Sequence, residues 1–168
     1  MPTTTAPPEL PPVPPALAGQ PLGRITAPSI GLDATFVAGT GTEDLRTGPG
    51  WMLGTAFPGS PGNSVLSGHR TTYGAPFRDL DRLAPGDRVT VEVPSWGTTT
   101  FEVRTTLVVA PGDVWVASAT DGVRLTLTTC HPAGSDRERL VVQAEAVDGP
   151  AVAWAITATA WAPSAPAA

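Results

Sequence analysis

Short runs rich in Val and Thr, separated by turns that contain Gly and Pro, constrain the fold of this chain more than any other feature. Residues of this kind, in runs bounded by such turns, are typical of β-strands. The runs are residues 24–27, 33–37, 63–68, 88–93, 100–109, 123–130 and 139–147. The pattern predicts an all-β fold, a closed β-barrel of seven to eight strands with one or two short helices.

Little of the chain is expected to be helical. Residues 42–45 have the composition of a helix cap followed by a single helical turn. Residues 76–83 carry apolar side chains at every third position, which predicts a short helix with one edge facing the core. Residues 51–62 are interrupted by Gly and Pro, so a surface loop is expected there.

The length of 168 residues, 41% of them hydrophobic, suits one domain with a substantial core. Residues 1–22 contain eight prolines and one charged residue, which predicts a disordered arm or tether. The barrel is expected to occupy residues 23–147. Residues 148–168 are expected to pack on the barrel or to be partly disordered.

The charged and apolar residues argue against nucleic acid as a partner, against a membrane span and against a metal site. The chain has ten basic and 15 acidic residues, so its net charge is −5. The sequence contains no basic patch that could bind nucleic acid. No stretch reaches the roughly 18 apolar residues of a membrane span. The acidic residues do not cluster at metal-ligand spacing, so neither a metal nor another cofactor is expected.

The only cysteine, Cys130, stands at the end of the run 123–130. A thiol becomes nucleophilic as the thiolate, which a nearby imidazolium or cation favours. His131 is adjacent, but neighbours along a strand point to opposite faces. His69 ends a different strand and opens a polar loop, so it is the preferred partner. These residues alone leave open a purely structural, packed cysteine.

A cation is needed to hold the anionic oxygen that forms when a thiolate attacks an amide carbonyl. Arg137 and Arg139 both precede the apolar run 140–142. Alternation along that strand lets Arg139 point into a cleft while the next residue faces the core. Arg139 is therefore preferred, and Arg137, in the turn, is the alternative.

Three ordered motifs connect these residues to a known family. They are SGHRTTYGAPF at residues 67–77, LTLTTCHP at 125–132 and RLVV at 139–142. In this combination the chain resembles a sortase over about residues 23–147, and within that family the class E enzymes of actinobacteria. The LTLTTC element alone is only moderately specific, whereas the three motifs in order are strongly so.

The resemblance implies an eight-stranded sortase barrel and a cysteine transpeptidase, a peptidase-like enzyme of the hydrolase class. The family's catalytic residues fall on Cys130, His69 and Arg139. Cys130 is expected to attack the Thr-Gly bond of a C-terminal sorting signal, of Leu-Ala-x-Thr-Gly or Leu-Pro-x-Thr-Gly type, and to form a thioester. His69 is expected to exchange protons with the leaving and incoming amines, and Arg139 to hold the oxyanion.

The resemblance also implies partners and a location. Secreted proteins that bear the sorting signal are the expected donors, and an amine of a cell-wall peptide precursor of lipid II type is the expected acceptor. A monomer at the extracellular face of the cell membrane is expected. Membrane attachment is expected only through an anchor absent from this chain.

Three residues are candidates for substrate binding. Tyr73, in the His69 loop, is a candidate for contacting the second position of the signal, although it could equally pack on the barrel wall. Thr129 is expected to line the cleft or to bond the substrate backbone. Trp115, in the segment 110–122 that corresponds to the loop closing over the signal in sortases, is expected to wall the groove or to be a buried anchor.

Two other functions use the same residues. A thiol hydrolase would form the same thioester and pass it to water, and the sequence does not separate this activity from transpeptidation. A catalytically silent barrel would bind wall peptides, with Cys130 as a packing residue. The reactivity of the Cys130 thiol distinguishes this last alternative from the two enzymes.

Overall fold

Eight strands close into a barrel in the computed structural model of the chain, which describes residues 18–94 and 96–153. The strands are β1 (Pro21–Ala27), β2 (Leu32–Ala38), β3 (Gly50–Trp51), β4 (Gly62–Ser67), β5 (Arg88–Val93), β6 (Gly97–Val109), β7 (Val123–His131) and β8 (Glu138–Asp148). Their order round the barrel is β1-β2-β3-β4-β7-β8-β6-β5, and β5 pairs with β1 to close it. The predicted all-β barrel is confirmed.

Two of the strand pairs are parallel, and the other six are antiparallel. The parallel pairs are β2 with β3 and β4 with β7. Strands β4 and β7 are separated by more than fifty residues along the chain, so this pairing brings together two distant motifs. The ends of β4 and β7 lie side by side at one rim of the barrel.

The two-residue strand β3 occupies the start of the stretch that the sequence predicts to be a loop. It pairs with β2 on one side and with β4 on the other, so it completes the barrel wall. The buried Trp51 ring donates its indole N–H to Thr55 Oγ1 and to the carbonyl oxygen of Ala56, each at 3.0 Å. A strand this short carries no alternation that sequence analysis can detect.

The helix predicted over residues 76–83 is wrong. Only Leu80–Arg82 is helical, as a 3₁₀ turn. Backbone N–H groups of Arg78, Leu80 and Leu83 each donate to the carbonyl three residues earlier. The apolar residues recur every three positions because the segment is a series of such turns, which have three residues per turn. Phe77, Leu80 and Leu83 are all buried, so the predicted core-facing edge is present.

The remaining helical segments are short. Helix α1 (Thr42–Leu45) is present as predicted. Two further 3₁₀ turns cover Pro28–Ile30 and Val114–Ala117.

Two apolar clusters lie on opposite sides of the barrel wall. The main core fills the barrel interior, and its largest fully buried side chains include Phe36, Phe77 and Phe101. A smaller cluster, formed by Val109, Val116 and Val141, lies on the other side of the β6–β8 wall. Val116 belongs to the segment between β6 and β7, so this cluster fixes that segment to the outside of the barrel.

The ends of the barrel are near the expected boundaries. Strand β1 begins at Pro21, two residues before the expected start, and residues 150–153 after β8 are helical. Residues 1–17 and 154–168 contain most of the Pro-rich arm and the apolar tail, and the predictions made for them lie outside the described residues. No helix in the described part of the chain is long and apolar enough to cross a membrane.

Candidate active site

The parallel pairing of β4 with β7 brings His69 to Cys130. Ser67 is in register with Thr128, and the next residue, Gly68, donates its N–H to the carbonyl oxygen of Thr128 at 3.1 Å. His69 and Cys130 each stand two residues beyond this matched pair, at the same level of the rim. Both residues line two small clefts, of about 230 and 260 Å³.

The antiparallel pairing of β7 with β8 adds Arg139 to this row. Arg139 lies directly opposite Cys130 across the two strands. It also lines the 260 Å³ cleft together with Cys130 and His69. Three consecutive strands of the barrel therefore deliver an imidazole, a thiol and a guanidinium to one cleft. Arg137 is exposed in the turn before β8 and is not among the described residues that line either cleft.

Cys130 belongs to the outward face of β7. Leu125 and Leu127 point into the main core, so alternation places Thr128 and Cys130 on the opposite face. There the hydroxyl groups of Thr128 and Ser67 are hydrogen-bonded at 2.7 Å, directly below the thiol. The half-buried Cys130 is a free thiol. This face leaves the sulfur accessible to a ligand, whereas a core cysteine would be enclosed.

The hydroxyl group of Thr129 ties the ends of β4 and β7 together. Thr129 is 3% exposed, and its Oγ1 donates to the carbonyl oxygen of Gly68 at 2.8 Å. Thr129 is also among the residues that line the 260 Å³ cleft. Its hydrogen is committed to Gly68, so only the lone pairs of Oγ1 are free for another bond.

Arg139 has part of its guanidinium free. Its Nη1 donates to the carbonyl oxygens of Asp136 and Glu138, at 2.8 and 3.1 Å. Neither its Nε nor its Nη2 is hydrogen-bonded to another described residue. Among the described residues, no hydrogen bond links the His69 imidazole to the Cys130 thiol. The three side chains share a cleft without being committed to one another, which suits a site that a substrate completes.

Tyr73 stands against His69. The two ring centroids are 5.2 Å apart, with 44° between the ring planes. The guanidinium of Arg46 lies 5.7 Å from the centre of the same tyrosine ring, a cation–π distance. Tyr73 is 54% exposed, which argues against the alternative that it packs on the barrel wall. It is not among the described residues that line the two clefts at Cys130.

Trp115 is exposed, so the alternative that it is a buried anchor is wrong. Trp115 is 55% exposed, and it is the neighbouring residue, Val116, that is buried in the outer apolar cluster. The buried Asn63 side chain holds the segment by donating to the carbonyl oxygens of Val116 and Ser118, at 2.9 and 3.0 Å. Trp115 lines neither cleft in the described part of the chain.

Arg70 joins the two motifs, and the sequence assigned it no role. It is 7% exposed, and its Nη1 donates to the carbonyl oxygen of Cys130 at 3.2 Å and contacts Nδ1 of His131 at 3.1 Å. Its Nε donates to the carbonyl oxygen of Arg78, and its Nη2 pairs with Asp81 at 3.3 Å. The only sequence signal was its position directly after His69. Nδ1 of His131 is thus in contact with the guanidinium of Arg70.

No metal site is evident in residues 18–94 and 96–153, where no three His, Cys, Asp or Glu side chains are grouped closely enough to bind one. The groups that share the 260 Å³ cleft are a thiol, an imidazole and a guanidinium.

The sortase domain family matches residues 25–147, which include all eight strands except the start of β1 and the last residue of β8. The chain belongs to the sortase family. The expectation drawn from the three motifs is confirmed, and the eight-stranded barrel is the fold of that family.

Relatives from two sortase classes are similar to this chain. Sortase D of Bacillus subtilis is 34% identical over 115 residues, covering 68% of this chain and 56% of that protein. Sortase SrtE1 of Streptomyces coelicolor is 33% identical over 105 residues, covering 57% of this chain and 30% of that protein. The matches thus span about half, or less, of these relatives' lengths.

A solved structure agrees with the sequence comparison. Sortase E from Streptomyces avermitilis superposes with a TM-score of 0.69 at 34% identity, and the match covers 79% of this chain and 91% of that one.

Proposed function

We propose that this chain is a cysteine transpeptidase that cleaves the Thr-Gly bond of a C-terminal sorting signal and transfers the new acyl group to an amine. The observation that carries the proposal is the row of His69, Cys130 and Arg139 across the ends of β4, β7 and β8, on a barrel of the sortase family. Residues 23–147 form the catalytic unit.

The first half-reaction uses all three residues. The Cys130 thiolate attacks the carbonyl carbon of the signal's threonine, and a C–S bond forms. The guanidinium of Arg139, whose Nε and Nη2 are bonded to no other described residue, donates to the oxyanion. When the tetrahedral intermediate collapses, the C–N bond breaks and the His69 imidazolium gives its proton to the departing glycine amine. The product is a thioester on Cys130 and a neutral imidazole.

The second half-reaction reverses these roles. The neutral imidazole of His69 accepts a proton from the incoming amine as its nitrogen attacks the thioester carbonyl. Arg139 again stabilises the oxyanion, and the C–S bond breaks to return Cys130 as the thiolate. Free enzyme and an amide-linked product result. Because the sulfur is regenerated in its starting state, no cofactor is required.

The signal is proposed to lie on the outer face of β4 and β7, in the 260 Å³ cleft. Leu45 adds an apolar surface there, and Thr129 and Arg139 add polar ones. Tyr73, which stands against His69, is proposed to contact the second residue of the signal. Trp115, exposed on the segment held by the outer apolar cluster, is proposed to cover the signal's leucine.

A Leu-Ala-x-Thr-Gly signal is proposed in preference to Leu-Pro-x-Thr-Gly. Identity does not separate the classes, since sortase D and sortase SrtE1 are equally similar to this chain. The assignment to class E depends on the sequence HRTTYGAPF at residues 69–77 and on the His-Pro pair that follows Cys130. The proposed donors are secreted proteins, and the proposed acceptor is the amine of a cell-wall peptide precursor of lipid II type. We place the enzyme, as a monomer, at the extracellular face of the membrane.

The experiment that tests the proposal is product analysis by mass spectrometry. The protein is incubated with a Leu-Ala-x-Thr-Gly peptide and an amine acceptor, beside Cys130→Ala and beside a Leu-Pro-x-Thr-Gly peptide. A peptide–amine product that requires Cys130 supports transpeptidation, and a faster reaction with the alanine peptide supports class E. Hydrolysed peptide alone, with every amine tried, contradicts the acceptor half of the proposal.

A further inference from the structure

The most enclosed cation of the candidate site is Arg70, which lies outside the proposed chemistry. Only 7% of it is exposed. A buried guanidinium is costly unless its N–H groups find partners. Here the partners come from two places: the end of β7, through Cys130 and His131, and the segment after His69, through Arg78 and Asp81. One side chain therefore connects the nucleophile's strand to the loop that begins at the catalytic imidazole.

The contact with His131 fixes the role of one ring nitrogen. A guanidinium has only hydrogen-bond donors, so Nδ1 of His131 is the acceptor in this contact. Across the β7–β8 pair the residue in register with His131 is Glu138, and no described side chain besides Arg70 is hydrogen-bonded to the ring.

Arg70 completes a set of contacts between the ends of β4 and β7. On one side, Gly68 N–H donates to Thr128, and Thr129 donates to the Gly68 carbonyl. On the other side, Arg70 donates to the carbonyl oxygen of Cys130 itself. His69 lies in the chain between Gly68 and Arg70, so the residues on both sides of the imidazole are bonded to β7, Gly68 through its backbone and Arg70 through its side chain.

We propose that Arg70 is a positioning residue for the transpeptidation reaction, and that it holds the Cys130 thiol at the working distance from His69 by using the Cys130 carbonyl oxygen and Nδ1 of His131 as its acceptors. The proposal rests on the proposed function. Arg70 touches neither the reacting atoms nor the free part of the cleft that Arg139 lines. Its effect passes through the backbone of Cys130 and through the ring of His131.

Substitutions at His131 test the acceptor. His131→Ala removes Nδ1, whereas His131→Asn offers a carbonyl oxygen near the same place and does not titrate. Arg70→Lys keeps the charge but loses the planar fork. For thioester formation with a Leu-Ala-x-Thr-Gly peptide, Arg70→Lys and His131→Ala are expected to lower kcat roughly 10- to 100-fold, with KM changed less than about threefold. His131→Asn is expected to retain kcat to within about threefold of the wild-type value, because the acceptor is preserved.

The matched control is Val91→Ala, a fully buried change on β5, which is adjacent to neither β4 nor β7. It is expected to lower the melting temperature without lowering kcat. If Arg70→Lys loses no more kcat than Val91→Ala, Arg70 is merely structural and the proposal is overturned. If His131→Ala and His131→Asn lose kcat equally, the acceptor role is wrong.

A second readout separates this inference from the proposed function. The rate at which iodoacetamide alkylates Cys130 is measured against pH in each variant, without any sorting peptide. The profiles of Arg70→Lys and His131→Ala are expected to shift toward that of His69→Ala, because the thiol loses its neighbour. A wild-type protein that forms no thioester refutes the proposed function only. An Arg70→Lys alkylation profile that coincides with the wild-type profile refutes the positioning role.

Discussion

Replacing Gly68 by Ala adds one methyl group where the structure has no room for it. A Cβ at this position would lie 2.7 Å from Cδ2 of Phe77, 2.9 Å from its Cγ and 3.1 Å from its Cε2. These atoms belong to a rigid ring that is fully buried in the main core. Either the backbone of Gly68 shifts, or the ring of Phe77 shifts and disturbs the side chains packed around it.

Overpacking of this kind costs roughly 1–3 kcal/mol of unfolding free energy. For a domain of this length each kcal/mol lowers the melting temperature by about 2–4 °C, so Gly68→Ala is expected to melt about 2–12 °C below the wild type. The same shift moves the site, because both backbone groups of Gly68 are bonded to β7 and His69 follows directly. Thioester formation is expected to slow by roughly 10- to 100-fold.

Thermal unfolding followed by circular dichroism measures the first effect, and single-turnover thioester formation measures the second. Gly112→Ala is the control, because no described atom other than those of Gly112 and its chain neighbours lies within 4 Å of the added Cβ. That variant is expected to stay within about 0.5 kcal/mol of the wild type. Phe77→Ala removes all three colliding atoms, so in a double-mutant cycle Gly68→Ala should cost less unfolding free energy in the Phe77→Ala background than in the wild type. A Gly68→Ala variant that melts with the wild type and reacts at the wild-type rate would refute the steric argument.

Three further substitutions test separate parts of the structure. Asn63→Ala leaves the buried carbonyl oxygen of Val116 without its donor, so urea denaturation should show a loss of roughly 1–3 kcal/mol, and limited proteolysis should cut the segment near Trp115 faster. Unchanged proteolysis would mean that the apolar cluster alone holds that segment. Trp115→Ala should leave the melting temperature unchanged, because the ring is exposed. The same substitution should raise KM for the sorting peptide. An unchanged KM would mean that Trp115 is not part of the proposed binding surface. Asp33→Asn tests the exposed ion pair between Asp33 and Arg24. The hydrogen bond from Arg24 lowers the pKa of Asp33 below its ordinary value of 3.8. The pair therefore stabilises the fold above that pH, and its contribution is lost as the carboxyl group protonates. The difference in melting temperature between this variant and the wild type should be small at neutral pH and should shrink as the pH falls through the lowered pKa of Asp33. A difference that grows in acid contradicts this reasoning.

The barrel and the row of candidate residues were accessible from the sequence because both depend on local patterns. Alternating Val and Thr mark the long strands, and a chemically distinctive residue ends or begins three of them, at His69, Cys130 and Arg139. Alternation also separates the two faces of β8, where Arg139 and Val141 lie apart from Leu140 in the main core. Strand ends and faces can be assigned from periodicity alone.

Features that depend on distant contacts could not be predicted. Strand β3 exists because β2 and β4 lie on either side of Gly50–Trp51, not because of its own two residues. The contacts of Arg70 with Cys130 and His131 depend on the parallel pairing of β4 with β7, which no local sequence pattern predicts. The exposure of Trp115 follows from the adjacent Val116 filling the outer cluster, and both residues are apolar, so composition does not rank them.

The most direct test of the central claim is the intact mass of the protein after mixing with a Leu-Ala-x-Thr-Gly peptide. The account predicts an adduct in which the protein gains the mass of the peptide up to its threonine, less one water. The adduct should be released by hydroxylamine, absent in Cys130→Ala and strongly reduced in His69→Ala and Arg139→Ala. The contradicting result is an adduct that persists in Cys130→Ala, or no adduct with any sorting peptide while the thiol remains open to alkylation.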